Sequence, residues 1–148
     1  MKILILGASY GSLLSTKLLM AGHDVTLICR SKSAALINDD GTEVRIKLRD
    51  EDSHRAFRSH DLAGTLDAVT PADARPENYD MISLAMQEPQ YSEPQVRDLM
   101  QRIATSRKPC LSIMNMPPLP FLRRVDALGE APLEMCYDDA SVWADFEP

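Results

Sequence analysis

At 148 residues the chain suits a single domain whose core can stand without disulfides or metals. Its net charge is −6, with acidic residues spread along the chain, which excludes a broad electrostatic attraction to nucleic acid or to an anionic membrane. Cys29, Cys110 and Cys136 are odd in number, far apart and outside any C-x-x-C spacing, so they read as reduced thiols of a cytoplasmic protein.

The chain opens on "MKILILGAS", whose apolar run is too short for a signal peptide, and no later run approaches the length of a bilayer span. "KILIL" (2–6) is a continuous β-branched and leucine run bounded by glycine, which predicts a strand buried on both faces. From Gly11 to Ala21, "GSLLSTKLLMA" predicts a helix with Leu14, Leu18 and Ala21 on its buried face and Leu13 and Met20 flanking, ended by Gly22. "HDVTLICR" (23–30) is a second apolar strand, which completes a βαβ unit whose strands are expected to run parallel. A short helix at "SKSAALINDDG" closes on Gly41, and "TEVRIKL" (42–48) alternates like a half-exposed strand. The charged stretch 49–59 reads as loop or edge strand. Strands follow at 65–69, 79–86 and 109–115, with a helix over 93–106 that buries Val96, Leu99, Met100 and Ile103. This alternation predicts an α/β fold of Rossmann type, a doubly wound, mostly parallel sheet in three αβα layers, with ligands outside the carboxyl ends of the strands. The single dinucleotide-binding domain spans 1–148, and residues 116–148 form its proline-rich, irregular extension. Trp143 and Phe146 sit in an acidic tail close to Pro148, which suggests that they pack against something further on.

Two positions carry candidate chemistry. A dinucleotide turn uses a first glycine for the tight bend, a second for approach of the pyrophosphate and a third for close helix packing, while the helix N-terminus offers free N–H groups to phosphate. Here Gly7 fills the first role, Ser9 and Ser12 occupy the other two places, and Ala8, Tyr10 and an unexpected Gly11 lie between. At the end of the second strand stand Arg30, Ser31 and Lys32, with none of the acid that NAD-binding folds place there for the ribose 2′-hydroxyl. A guanidinium and a hydroxyl suit a 2′-phosphate, which favours NADP. An ordinary βα turn needs the same glycines for backbone geometry alone, and strand ends often carry idle basic residues.

"MKILILGA…GSLLS…LLMAGHDVTLICR", then "YDMISLAM", then "SIMN" resemble the N-terminal domain of ketopantoate reductases (2-dehydropantoate 2-reductases), NADPH-dependent oxidoreductases of pantothenate biosynthesis. The similarity covers residues 1–32 closely and 79–115 loosely. It implies that Gly7 to Gly11 bind the pyrophosphate, that Arg30 binds the 2′-phosphate, and that Asn115 contacts cofactor and substrate. The chain departs from the family in four respects. The turn is one residue short, so Gly11 is a candidate third glycine of a contracted loop. A lysine expected after "SLAM" is Gln87, and the family's "N-G" is "N-M" at 115–116. The helical C-terminal domain that supplies the general-acid lysine and most of the substrate pocket is absent from these residues.

His23, His54 and His60 show no metal-ligand spacing, and the basic strand "EVRIKLR" has acids beside it and no interleaved aromatic residue. No catalytic residue can be named. The leading expectation is therefore the NADP(H)-binding domain of a ketopantoate-reductase-like enzyme, inactive alone, acting in the cytoplasm on a small 2-oxo acid when complete and prone to homo-oligomerise. The alternative is a non-enzymatic Rossmann-like interaction module with an altered cofactor loop.

Overall fold

β1 (Lys2–Leu6) lies at the centre of a five-stranded sheet because Ile3 to Leu6 are buried against both faces. The structure, a computed structural model, describes residues 1–146. β1 pairs in parallel with β2 (Asp24–Ile28) on one side and with β6 (Met81–Leu84) on the other. β5 (Leu66–Val69) extends the first side and β7 (Cys110–Ser112) the second, giving the order β5-β2-β1-β6-β7, all parallel. α1 (Ala8–Met20) and α2 (Ser31–Asp40) pack on the face that carries Ile3, Ile5, Val25 and Leu27. α3 (Pro94–Ser106) packs on the face that carries Leu4, Leu6, Ile82 and Leu84. This is the doubly wound, Rossmann-like three-layer arrangement, and the strand order reverses between β1 and β6. At such a reversal the two sets of crossovers diverge, which leaves a crevice beyond the carboxyl ends of the strands.

Several expectations need correction. The buried face of α1 is Gly11, Ser15, Thr16 and Leu19, while Leu14 and Leu18 are half-buried and Leu13 and Met20 lie 45% and 48% exposed. The i, i+4, i+8 row of Gly11, Ser15 and Leu19 decides this: its small members let the helix approach the sheet, and the leucines rotate to the flanks. β3 (Glu43–Lys47) does not join the main sheet but pairs antiparallel with β4 (His54–Arg58), inside the charged stretch, as a separate hairpin. The free edge of β5 is occupied at Ala68, because the Asn38 amide donates to Ala68 O at 2.9 Å and accepts from Ala68 N–H at 2.7 Å. β7 is also shorter than its apolar run, so Asn115 stands in a bend beyond the strand rather than at its end.

The tail does not wait for a distant partner. After α4 (Leu119–Leu122) it runs through short 3-10 turns and inserts Trp143, 1% exposed, into the core on the α3 side. Tyr91, Tyr137 and Phe146 surround the indole with ring centroids 5.5, 6.4 and 5.6 Å away. The tail is tied down outside by the Arg97–Asp139 ion pair and by a 2.6 Å hydrogen bond from the Ser92 hydroxyl to the Asp138 carboxylate.

Candidate functional site

The chain leaves β1 through a single residue. Gly7 has φ +102° and ψ +110°, and its N–H donates to Ile28 O at 3.1 Å; α1 starts at the next residue, with Gly11 N–H closing on Gly7 O at 3.0 Å. A side chain is excluded here twice over, since that φ disfavours L-residues and a Cβ would lie 2.7 Å from Ala85 O. Ala8, Ser9 and Tyr10 thus form the first turn of the helix, not a loop, and their N–H groups have no intrahelical acceptor. Ser9 is exposed, while the Ser12 hydroxyl donates to Ser9 O at 2.9 Å. The contact that demands a third glycine belongs to buried Gly11, where a Cβ would sit 2.7 Å from Ile5 Cγ2. Gly11→Ala is expected to lose up to about 2 kcal/mol, a packing penalty of about 1–3 kcal/mol offset by roughly 1 kcal/mol of helix propensity. A denaturation midpoint above that of the parent would contradict this packing account.

Arg30 follows β2 by two residues and caps α2 from an extended conformation, with Ser31 and Lys32 in the first helical turn; all three are exposed. Among the described residues no carboxylate pairs with Arg30 or Lys32. Neither α1 nor α2 has an acid in its first turn, so two helix N-termini direct uncompensated positive ends toward the same edge of the sheet. Cys29, between them, is half-buried, and desolvation raises its thiol pKa against a weaker opposing pull from Arg30; it is an inert thiol at neutral pH.

On the β6–β7 side of the crevice lies a cleft of about 230 Å³ whose walls include Tyr10, Met86, Gln87, Ile113 and Asn115. Tyr10, Gln87 and Asn115 thus meet at one cleft, whereas Arg30 and Lys32 lie outside its wall, at the end of β2. Sequence reasoning named Gln87 but missed Tyr91 and Gln90, which hold this wall. The buried Tyr91 hydroxyl accepts Met86 N–H at 3.2 Å, and burial raises the phenol pKa, so it stays neutral. Gln87 and Gln90 form a reciprocal capping box on the 3-10 turn Glu88–Ser92, a pattern legible in "QEPQ" as two amides three residues apart.

The family model for ketopantoate reductase PanE/ApbA matches residues 3–115. The chain belongs to that family. This ketopantoate reductase family member is similar in fold to a protein assigned as a 2-dehydropantoate 2-reductase from Enterococcus faecalis, with a TM-score of 0.51 at 18% identity over 83% of this chain. PanE of Bacillus subtilis, also assigned as a 2-dehydropantoate 2-reductase, aligns with 85% of this chain at 20% identity and a TM-score of 0.48. The chain spans 36% and 37% of those two chains. No curated protein sequence matches it. The family match stops at Asn115, one of the residues lining the cleft, so the tail carrying Trp143 lies outside the matched residues.

Proposed function

We propose that this family member is the NADP(H)-binding domain of a ketopantoate-reductase-like oxidoreductase that reduces a small 2-oxo acid in the cytoplasm. The observation that carries the proposal is the grouping, at the adjacent carboxyl ends of β1 and β2, of a glycine-only bend, two acid-free helix N-termini and two cations unpaired among the described residues. These donors fit a dinucleotide diphosphate: the N–H groups of Ala8, Ser9 and Tyr10 suit the pyrophosphate, and Arg30, Ser31 and Lys32 suit a 2′-phosphate. The bound nicotinamide would supply the hydride. The protein's own part is to orient, with Asn115 and Gln87 at the cleft where substrate and nicotinamide would meet. The general-acid lysine that the family resemblance implies is none of the five here, since none of them lines the cleft, and it is assigned to another domain.

Purified residues 1–148 are therefore expected to enhance nicotinamide fluorescence on titration with NADPH, while NADPH oxidation with 2-oxo acids stays at background. Turnover by these residues would contradict the assignment of the proton donor to another domain. Exposed Ser9 in the first turn and neutral Gln87 at the cleft favour one competing reading, a Rossmann-like interaction module without cofactor. Absence of binding to both NADPH and NADH would establish that reading over the first.

A further inference from the structure

Tyr10 is 52% exposed, so burial does not hold its ring in place. A hydrogen-bond chain does. The Gln87 side-chain oxygen accepts the backbone N–H of Gln90, which leaves its Nε2 as the end facing Tyr10, and Nε2 donates to the Tyr10 hydroxyl at 3.2 Å. A phenol that accepts from an amide keeps its own proton to give, and among the described residues no group takes it. Glu88, another polar residue of the cleft, uses its carboxylate to accept Asp138 N–H from the tail at 3.2 Å. The Tyr10 proton and the Asn115 amide are left as the uncommitted polar groups that line the cleft beyond Gly7.

A dinucleotide whose 2′-phosphate sat at Arg30 would cross the N-terminus of α1, which would direct its second nucleoside toward the cleft on the β6–β7 side. We propose that the Tyr10 hydroxyl donates to an oxygen of the nicotinamide-nucleoside half of the cofactor, and that Gln87 is the positioning residue that aims it. This inference rests on the cofactor reading above. It makes Tyr10 a determinant of the intact dinucleotide, with no role toward the adenosine half.

The test is calorimetric titration of the 148-residue chain with NADPH and with adenosine 2′,5′-bisphosphate, which carries the 2′-phosphate and lacks the nicotinamide nucleoside. Tyr10→Phe is expected to weaken NADPH about 3- to 10-fold, the worth of one hydrogen bond, and to leave the bisphosphate unchanged. Gln87→Met should shift NADPH affinity in the same direction and add nothing in the Tyr10→Phe background, a dependence that a purely structural role for Gln87 would not show. Tyr10→Phe binding NADPH like the parent, or losing both ligands alike, overturns the inference while the cofactor reading stands. A parent chain that binds neither ligand overturns the cofactor reading, and this inference with it.

Discussion

Replacing Trp143 by alanine is expected to lower the unfolding free energy by about 3–5 kcal/mol, the range for removing a large aromatic side chain from a packed core. The indole is 1% exposed and touches three rings, Tyr91 before α3 and Tyr137 and Phe146 of the tail itself. Deleting it leaves a cavity between the tail and α3 that the aromatic shell closes only by moving, and each of those contacts is lost in part. A loss of this size is a large share of the stability of a chain this long. Phenylalanine at the same place separates packing from polarity. The buried Trp143 Nε1 has no hydrogen-bond partner among the described residues, so Trp143→Phe removes an unsatisfied donor along with some volume and should cost no more than about 1 kcal/mol. Urea denaturation followed by circular dichroism measures both. A Trp143→Ala variant within about 1 kcal/mol of the parent would mean that the tail is not part of the cooperative core.

The tail is also where sequence reading fell furthest from the structure. Strands β1, β2 and β6 and helix α3 are legible because buried parallel strands read as unbroken apolar runs and an amphipathic helix repeats every three to four residues. Residues 116–146 have neither period, since they fold as short turns whose order comes from what Trp143 and Leu119 contact rather than from local preference. Periodicity misplaced the buried face of α1 for a related reason. It weights leucines, whereas close packing at Gly11 is set by the absence of a side chain, and only the position of Ile5 across the interface reveals that. At the site, Gly7 and Arg30 could be picked out because their residue types are tied to a backbone bend and to a charge. Tyr10 is legible only as a member of the turn; the aim of its hydroxyl depends on the contact with Gln87, which joins residues 77 positions apart in the chain.

The second large effect concerns Arg30. Its guanidinium is exposed and unpaired with any described carboxylate, and its backbone stands at the N-cap of a ten-residue helix, an arrangement suited to a phosphate monoester far better than to a neutral ribose hydroxyl. Charge-assisted hydrogen bonds of this kind are worth about 1.5–3 kcal/mol, so Arg30→Ala should weaken NADPH roughly 10- to 100-fold and leave NADH almost unchanged. Lys32, one turn position further on, should add a smaller, more salt-sensitive share. The substitution lies on the surface and should not disturb folding. The most direct measurement is the ratio of NADH to NADPH dissociation constants, read by nicotinamide fluorescence for the parent and for Arg30→Ala at one fixed ionic strength. The parent is predicted to prefer NADPH at least tenfold, with most of that preference lost in the variant; equal affinities in the parent, or an undiminished preference after the loss of Arg30, would contradict the account.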